Sequence, residues 1–424
     1  MRILARDIAG YIGTEIVLNG WVHRIRALGG ISFIILRDRS GFVQLVMNEA
    51  PHITLESVIK VSGIPTANEK APGKVELLVR SWECISSALP DLPYHVNGRI
   101  TKQNLETILE QRVLSLRNPQ INAIFKVQAT VIEAFSAYLR SQDFTEIKTS
   151  KIVSSGTEGG TELFEVEYFG KKAYLAQSPQ FYKEVLVASG LERVFEVAPV
   201  FRAEKHDTPR HLNEYISLDV EMAFIESEKA LIELEKQVLA HIFESVAQKH
   251  PHELTLWNAA VPDSESVFKS PIISYQEALN IAAEAKQSRF FDITPEVERL
   301  VCEWSVKEKG TALVFINEFP SRLRPFYTYP LDGSLTMSFD AIFRGLEITT
   351  GGRRHHNVHA FIESLEKFGL KAEQMAHYLS VLNYGCPPHG GFALGCERLT
   401  ARILGLTSVK EASLFPRDRK RTTP

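Results

Sequence analysis

Charged side chains crowd a stretch of the chain where a stable hairpin would not need them. An apolar, β-prone run ends on Arg202, a polar loop carries Arg210 and His211, and a second run alternates acidic with apolar residues. This pattern predicts two strands, 197–202 and 216–224, joined by a long loop. A planar guanidinium on a strand end can grip the α-phosphate of a polyphosphate, and cations on the loop can reach the distal phosphates. The alternative is a solvated hairpin with surface ion pairs.

A second set of polar residues follows later in the chain. Glu347 and Thr350 lie three residues apart, near the end of a predicted strand over 338–356, and two glycines that predict a turn follow at 351 and 352. A carboxylate and a hydroxyl can together hold Mg²⁺, which prefers oxygen ligands and often shares them with phosphates. The pair is therefore a candidate magnesium site beside the candidate phosphate grip.

Hydrophobic spacing predicts the elements that must position these residues. Short strands at about ten-residue intervals predict a small β-barrel over 1–100, and the charged stretch 101–120 predicts a linker. Apolar residues at helical spacing predict helices over 123–139 and 228–250. The glycine-rich run GGFALG predicts a strand that meets a helix near Cys396. Residues 251–310 show mixed helix and loop character and no assigned site.

Bulk composition excludes several classes of protein. The chain has 424 residues, 44% of them hydrophobic, which is typical of two or three globular domains. A net charge of −3 excludes a wholly basic nucleic-acid binder, so RNA contact must come from local patches such as residues 1–40, with six Arg against three acids, or the C-terminal RDRKR. The four cysteines are widely spaced, which argues against a zinc site or disulfide framework and for a reduced compartment. No apolar run approaches 18 residues and no signal peptide is visible, so we expect a cytoplasmic protein without membrane association.

Two sequence blocks carry a family resemblance. FRAE, a loop, RHLNE and an acidic strand resemble motif 2 of the class II aminoacyl-tRNA synthetases, and GGFALGCERL with its following helix resembles motif 3. Within that class, the chain from Trp21 onward is similar to aspartyl-tRNA synthetases of the archaeal and eukaryotic type. The resemblance implies a multidomain α+β fold: an OB-fold anticodon-binding barrel over 1–100, a hinge over 101–120, and a catalytic domain over 121–424 with an antiparallel sheet flanked by helices. It implies ATP-dependent activation of L-aspartate and transfer of the aspartyl group to the 3′ end of tRNA-Asp.

The resemblance also implies an amino-acid pocket. Lys183 and Arg354 would hold the side-chain carboxylate of aspartate. An asparagine amide in the same place would leave N–H donors of the Arg354 guanidinium without an acceptor. The full set of implied aspartate-binding residues is Glu162, Gln180, Phe181, Tyr182, Lys183, Arg202, Thr350 and Arg354. Glycines 156, 159 and 160 would let a loop close over the ligand. The alternative for the lone lysine and glutamate is ordinary solvent exposure.

For ATP, the implied catalytic residues are Arg202, on the α-phosphate, and Arg398, which would stack on adenine laid flat against the glycines. The implied ATP-binding residues are Arg202, Ala203, Glu204, Arg210, His211, Leu212, Glu347, Gly395, Cys396, Glu397 and Arg398. Mg²⁺ would lie on Glu347 and Thr350, where threonine replaces the family's usual serine and keeps its hydroxyl. The alternative for Arg398 is an ion pair at a helix N-terminus.

For the anticodon, the implied contacts are His23, Arg26, Phe33, Gln44 and Pro72. An aromatic side chain beside arginines can stack an unpaired base, and a glutamine can contact a base edge. The alternative for Phe33 is a core aromatic. Strict family members carry Trp and Lys at the positions of His23 and Pro72, so the resemblance implies a non-discriminating enzyme that charges both tRNA-Asp and tRNA-Asn. A discriminating enzyme, with both positions as ordinary loop residues, is the alternative.

Several departures and rivals bear on these expectations. The helix over 123–139 and the predicted strand FTEIKTSKI match motif 1, which implies a homodimer, although Ser150 replaces the family's proline. Arg353 and His355 also depart from the usual residues around the clamp. Arg324 followed by PFY favours aspartate over the asparaginyl sibling enzyme. A tRNA-dependent amidotransferase is a further candidate partner.

Two alternative functions remain. The first is a ligase that does not use tRNA, which the barrel disfavours. The second is a non-catalytic RNA-binding paralogue, which the retained arginines of motifs 2 and 3 disfavour.

Overall fold

The computed structural model describes residues 2–48, 52–98, 100, 103–156 and 163–423, and the chain divides into two compact units, Met1–Asn118 and Pro119–Pro424. None of the helices in the described residues combines the length and the apolar character needed to cross a membrane.

The first unit is a closed five-stranded barrel. Its strands are β1 (Ile16–Leu28), β2 (Ile31–Asp38), β3 (Gly41–Met47), β4 (Val58–Ala67) and β5 (Val75–Ser86), in the order β1-β2-β3-β5-β4. Alternate residues such as Val22, Ile34 and Leu45 fill the barrel because successive strand side chains face opposite sides. The predicted barrel is confirmed. The segment predicted as a linker carries two short helices, α1 (Leu105–Glu110) and α2 (Arg112–Ser115).

The second unit is built on an eight-stranded sheet. Its elements in chain order are α3 (Pro119–Ser141), β6 (Thr145–Glu146), β7 (Ile152–Val153), β8 (Glu165–Tyr168), β9 (Lys171–Leu175), α4 (Gln180–Leu186), β10 (Arg193–Phe201), β11 (Glu214–Ala223), α5 (Glu228–Lys249), α6 (Pro251–Leu256), α7 (Ser264–Phe268), β12 (Ile272–Ser274), α8 (Tyr275–Lys286), α9 (Pro295–Lys309), β13 (Leu313–Asn317), β14 (Ser338–Phe343), β15 (Leu346–Arg353), α10 (Val358–Lys367), α11 (Ala376–Asn383), β16 (His389–Gly395) and α12 (Cys396–Leu404). The sheet order is β12-β13-β14-β15-β16-β11-β10-β6, and β7, β9 and β8 form a separate small sheet. The pairs β12–β13 and β10–β6 are parallel and the other neighbours are antiparallel, so the sheet is mixed rather than wholly antiparallel.

One face of this sheet is covered by three helices. Apolar residues of α3, α5 and α12, including Val131, Leu239 and Leu399, pack against inward residues of β11 and β16 such as Leu218 and Leu394. The predicted helices over 123–139 and 228–250 are confirmed as α3 and α5. Because strand side chains alternate, the polar residues of β11 project from the opposite face. That face, called the open face below, carries the candidate site around β11, whereas helices α8 and α9 pack on it at β13 and β14.

Three details differ from the sequence prediction. The strand predicted over 338–356 is wrong, since a turn at Arg344 and Gly345, both with positive φ, breaks it into the hairpin of β14 and β15. The glycines at 351 and 352 lie inside β15, and a Cβ on Gly351 would come within 2.7 Å of Phe339 and Phe392. These glycines therefore permit close packing and form no turn. The segment FTEIKTSKI contains only the two-residue strands β6 and β7.

Candidate active site

The open face of the sheet aligns polar residues from three neighbouring strands. In the β11–β16–β15 register, Ser217 pairs with Gly395, Asp219 with Ala393 and Glu221 with Gly391. Ala393 and Gly391 in turn pair with Thr350 and Gly352. Side chains two residues apart on a strand share a face and are separated by about 7 Å. The face is therefore continuous from Ser217, at one end, to Glu221, at the other.

A cleft of about 250 Å³ opens at the Ser217 end. Its walls come from the ends of β10 and β11, the loop between them, β15, and the junction of β16 with α12. The lining residues are Arg202, Glu204, Arg210, His211, Leu212, Tyr215, Ser217, Glu347, Ile348, Thr350, Ala393, Gly395, Glu397, Arg398 and Val409. The structure thus brings together most of the residues that the sequence assigned to ATP.

The two arginines that the sequence analysis proposed as catalytic, Arg202 and Arg398, both line this cleft. The Arg202 guanidinium lies 5.5 Å from the centre of the Tyr215 ring and 3.8 Å from the Glu204 carboxylate. Arg398 donates from Nη1 to the Glu347 carboxylate at 2.9 Å and to the Glu347 carbonyl at 3.1 Å. A cleft lined by two delocalised cations suits a nucleotide, because its phosphates and its base can each contact a guanidinium.

The loop between β10 and β11 is anchored at both sides of the cleft. Arg210 donates to Glu298 of α9 at 2.5 Å, and the His211 ring lies 3.7 Å from Glu204. Burial, and then the charges of Arg398, His206 and Arg210, lower the pKa of His211 against the opposing effect of Glu204. Near the loop's other end, Lys410 pairs with Asp207 at 2.7 Å. Glu298 belongs to a region in which sequence reasoning found no site.

Two residues of the implied ATP set, Ala203 and Cys396, lie outside the cleft lining, and a third, Glu397, is held by the sheet. Cys396 is fully buried in the helix-covered core. Ala203 is absent from the lining residues. The Glu397 carboxylate accepts the backbone N–H of Ile216 at 3.1 Å, and burial raises its pKa to about 7. Glu397 therefore braces β11 against α12, although it lines the cleft floor.

Glu347 and Thr350 both line the cleft, and the Thr350 hydroxyl donates to Glu347 at 3.4 Å. Burial acts to raise the pKa of Glu347, but the charges of Arg398, Arg324, Arg202 and Arg210 outweigh it and lower the pKa. An ionised carboxylate and a hydroxyl fit the oxygen preference of Mg²⁺. Across the described residues no cluster of three or more His, Cys, Asp or Glu could hold a metal ion. Magnesium would therefore need phosphate oxygens in addition to these two groups.

A second, buried cluster lies at the Glu221 end of the same face. Lys183, 2% exposed, contacts Asp219 at 3.0 Å and Glu221 at 3.3 Å. Arg354, 5% exposed, contacts Glu221 at 3.3 Å and donates to the Gly391 carbonyl at 3.2 Å. A Cβ on Gly391 would lie 2.3 Å from the Glu221 carboxylate, so only glycine leaves room for this arrangement. The two predicted carboxylate clamps are therefore held side by side.

Arg354 does not line the cleft that contains Arg202 and Arg398. The two sites are adjacent because Ser217, which lines the cleft, donates at 2.5 Å to Asp219, the partner of Lys183. From the sequence, Ser217, Asp219 and Glu221 were recognised as the polar residues of an alternating strand, but no role was assigned to them. The regular alternation of acidic and apolar residues along this strand was the signal that could have indicated a buried ionic cluster.

The remaining candidates for aspartate binding on helix α4 face different surroundings. Gln180 and Lys183, one helical turn apart, both face the buried cluster. Phe181 instead packs on Tyr378, with ring centroids 4.9 Å apart, and Tyr182 is 37% exposed. Glu162, like glycines 159 and 160, lies outside the described residues.

Arg324, whose sequence context favoured aspartate, lies in a buried pair. It contacts Asp340 at 2.8 Å and its guanidinium lies 3.6 Å from the centre of the Phe319 ring. Burial raises the pKa of Asp340 to about 6 even though the charge of Arg324 opposes that rise. The two departures near Arg354 also have partners: Arg353 lies over the Tyr329 ring at 4.1 Å and His355 is buried beside Phe361.

In the barrel, three of the candidate anticodon residues, Arg26, Phe33 and Gln44, lie on the outer face. Arg26 is paired with Phe33 across β1 and β2, and Gln44 of β3 donates to Glu76 at 2.8 Å. Phe33 is partly exposed, so it is not a core aromatic. An exposed arginine beside a half-exposed aromatic ring can stack an unpaired base.

The two specificity positions, His23 and Pro72, are connected through Phe42. His23 is 9% exposed, bonds Arg37 at 2.9 Å and packs on Phe42 with ring centroids 4.8 Å apart. Phe42 and Pro72 line one small cavity of about 120 Å³. Pro72 itself is exposed, at the start of a short 3₁₀ turn. His23 thus contacts a residue of this cavity, Phe42, and does not present an exposed side chain.

Comparison with known families agrees with this architecture. Residues 104–419 match the model of the class II tRNA synthetases (D, K and N), and residues 16–85 match the OB-fold nucleic acid binding domain. The chain is 45% identical to the aspartate–tRNA(Asp/Asn) ligase of Thermus thermophilus over 100% of both chains. It is 43% identical to the Methanopyrus kandleri enzyme of the same name, over 97% of this chain and 96% of that one. The aspartate–tRNA(Asp) ligase of Pyrococcus abyssi is 39% identical over 97% of each chain.

Solved structures show the same arrangement. The asparaginyl-tRNA synthetase of Pyrococcus horikoshii, complexed with asparaginyl-adenylate, is 28% identical with a TM-score of 0.91 over 100% of both chains. A putative aspartyl-tRNA synthetase from Leishmania major is 29% identical with a TM-score of 0.90, over 100% of this chain and 95% of that one. On the full-length identities and the two family models, the chain belongs to the class II tRNA synthetases, in the aspartyl-tRNA synthetase family.

Proposed function

We propose that this protein is an aspartate–tRNA ligase that activates L-aspartate with ATP and charges both tRNA-Asp and tRNA-Asn. The observation that carries the proposal is the pairing of two adjoining sites on one sheet face: an arginine-walled cleft and a buried Lys183–Arg354 cluster. Full-length relatives at 43–45% identity are aspartate–tRNA(Asp/Asn) ligases, which supports the dual tRNA specificity.

The proposed reaction has two steps. The aspartate α-carboxylate attacks the α-phosphorus of ATP, the bond to the bridging oxygen breaks, and pyrophosphate leaves. A hydroxyl of the tRNA 3′-terminal ribose then attacks the aspartyl carbonyl carbon of the adenylate, gives its proton to solvent or phosphate, and AMP leaves. Neither step needs a protein nucleophile, so the protein contributes position and charge.

Each residue has a proposed role in these steps. Arg202 holds the α-phosphate and the attacking carboxylate, and Arg398 lies against adenine. Arg210 and His211, on the loop, approach the distal phosphates, and Glu204 lies within 4 Å of both Arg202 and His211. Mg²⁺ on Glu347 and Thr350 would supply neutralisation of phosphate charge. Lys183 and Arg354 hold the substrate side chain, with Gln180 beside them.

The principal competitor is asparagine activation, because asparaginyl-tRNA synthetases share the fold closely. Two buried cations suit a carboxylate and would be left with unmatched donors against an amide. Amino-acid-dependent ATP–pyrophosphate exchange separates the two: we expect exchange with aspartate and little with asparagine. Exchange that is driven mainly by asparagine would reject the proposal.

The remaining expectations are part of the same proposal. We expect a homodimer through the region of α3, work in the cytoplasm, and, where tRNA-Asn is charged with aspartate, a tRNA-dependent amidotransferase acting on the product. Size-exclusion chromatography with light scattering tests the first of these, and a monomer at micromolar concentration would count against it.

A further inference from the structure

A buried ionic network lies behind the proposed amino-acid pocket. Glu184 of α4 and His389 at the start of β16 are 2% and 0% exposed, and His389 Nε2 lies 3.0 Å from Glu184 Oε2. The Tyr378 hydroxyl donates to that same carboxylate oxygen. The other oxygen, Oε1, accepts the amide of Gln180 at 2.7 Å. Glu184 is therefore saturated with donors in a dry environment, which is how a buried carboxylate remains ionised.

The surroundings of His389 require a positively charged ring. Its Nδ1 lies 2.9 Å from the Pro387 carbonyl, which can only accept, and farther, 3.6 Å, from the Cys386 thiol; its Nε2 faces the Glu184 carboxylate. An imidazole that faces an acceptor on both nitrogens must carry a proton on each. Burial acts to lower the pKa of His389, but its bonds to Cys386 and Glu184, together with the charge of Glu184, raise it to about 10.

Glu184 also fixes the orientation of Gln180. Because the Glu184 carboxylate can only accept, the Gln180 NH₂ must point toward it, and the Gln180 carbonyl must point away. That carbonyl oxygen lies 3.4 Å from Arg354 Nη2. A chain of contacts therefore runs from His389 through Glu184 and Gln180 to the predicted carboxylate clamp.

The charges around the clamp balance only when His389 is protonated. The linked buried cations are Lys183, Arg354 and His389, and the linked buried carboxylates are Glu184, Asp219 and Glu221. A neutral residue at 389 would leave one negative charge in excess. An excess negative charge in a low-dielectric site opposes a carboxylate ligand and has little effect on a neutral amide.

We propose that Glu184 and His389 act as a positioning pair that makes the pocket select a side-chain carboxylate over an amide. The pair touches no substrate; it orients Gln180 toward Arg354 and supplies the cation that balances the pocket. This inference rests on the proposed aspartate specificity and assigns part of it to residues that lie behind the clamp.

The test compares a single variant, which removes one charge of the pair, with a double variant, which removes both, by ATP–pyrophosphate exchange. His389→Gln should raise the KM for aspartate at least about tenfold, leave the KM for ATP unchanged, and narrow the preference for aspartate over asparagine. The double variant Glu184→Gln/His389→Gln removes both charges and should recover most of that loss. An unchanged KM for aspartate in His389→Gln, or a double variant no better than the single one, would overturn the inference.

A matched control is available in the same unit. His250 also sits between a hydroxyl and a carboxylate, 2.8 Å from Thr130 Oγ1 and 3.4 Å from Glu253, but on the helix-covered side at the end of α5. His250→Gln should leave both KM values unchanged. If His389→Gln fails to fold, Tyr378→Phe removes one donor to Glu184 without changing side-chain shape. It should raise the aspartate KM by a smaller factor, and an unaltered aspartate-to-asparagine ratio in it would overturn the inference.

Failure of the inference and failure of the proposed function give different results. A wild-type protein that activates asparagine in preference to aspartate would reject the proposed function itself. A wild-type protein that prefers aspartate, together with an unaltered preference in His389→Gln, would reject only the role of the pair.

Discussion

The Arg210 guanidinium donates a hydrogen bond to the Glu298 carboxylate at 2.5 Å, and this contact ties the loop of the nucleotide cleft to helix α9. The same carboxylate oxygen accepts the backbone N–H of Glu347 at 3.1 Å. Burial raises the pKa of Glu298 to about 7, although the charge of Arg210 opposes this. Glu298 therefore joins the loop arginine to the strand proposed to carry magnesium.

Replacement of Glu298 should weaken ATP binding without affecting the binding of aspartate. Glu298→Gln removes the charge that holds Arg210, so we expect the KM for ATP to rise about threefold to tenfold, with the KM for aspartate unchanged. Glu303→Gln, an exposed acid on the same helix, is the matched control. A lower KM for ATP in Glu298→Gln would show that the contact restrains Arg210 away from the nucleotide.

Arg202 should be needed in the transition state. Loss of a guanidinium aimed at the α-phosphate typically costs about 10²–10³ in rate, so Arg202→Ala should reduce aspartate-dependent pyrophosphate exchange by that factor. Arg193→Ala, at the other end of β10, should keep its activity because the Arg193 side chain donates to the Gln142 carbonyl, packs on the Phe144 ring and does not line the cleft. Near-normal exchange in Arg202→Ala would remove it from the mechanism.

The barrel should lose stability in acid through one carboxylate. Burial acts to raise the pKa of Glu56, but the neighbouring His23 ring, the hydrogen bonds and charge of Arg37 and a bond from Arg117 lower it from 4.5 to about 2. A folded-state pKa below the unfolded value stabilises the fold above about pH 4.5, and this stability is lost as the pH falls toward 2. The contribution is on the order of 3 kcal/mol at neutral pH.

Urea unfolding of the full chain between pH 6 and pH 2.5 measures this effect. Glu56→Gln should remove most of the acid dependence of the first unit's unfolding and lower its free energy of unfolding at pH 6. Glu83→Gln, an exposed acid on β5, is the control. An acid profile that is the same in Glu56→Gln and wild type would contradict the assignment.

The tRNA specificity should depend on the part of the barrel where Phe42 connects His23 with Pro72. His23→Trp combined with Pro72→Lys should lower charging of tRNA-Asn at least about tenfold, while charging of tRNA-Asp is retained. Because His23 is buried against Arg37 and Glu56, the thermal stability of the variant must be compared with that of the wild type. Equal charging of both tRNAs by the double variant would contradict the proposal.

Local pattern was sufficient to predict much of the fold. The alternation of the barrel strands, the stripe of α3 and the glycine-rich entry into α12 each reflect short-range chemistry, and each element is present. The hairpin of β14 and β15 was missed because Arg344, a residue that rarely adopts positive φ, occupies its turn. Gly351 predicts a turn on its own, and only its distant neighbours Phe339 and Phe392 show that it allows close packing.

The candidate site likewise contains residues that sequence motifs predict and residues that only the fold brings together. Residues inside recognisable motifs, such as Arg202 and Arg398, could be assigned to the cleft from sequence. Glu298 could not, since its region lacks a motif and its partner Arg210 is 88 residues away. The Glu184–His389 pair spans 205 residues, and two such polar residues become a pair only when α4 packs beside β16. Motif reasoning likewise could not show that Cys396 points into the core.

The most direct test of the central claim is aminoacylation of purified tRNA-Asp and tRNA-Asn, each supplied separately with labelled aspartate or labelled asparagine. We predict that the wild-type protein attaches aspartate to both tRNAs, in an ATP-dependent reaction, and attaches asparagine to neither. Attachment of asparagine, or failure to attach aspartate to tRNA-Asp, would contradict the account.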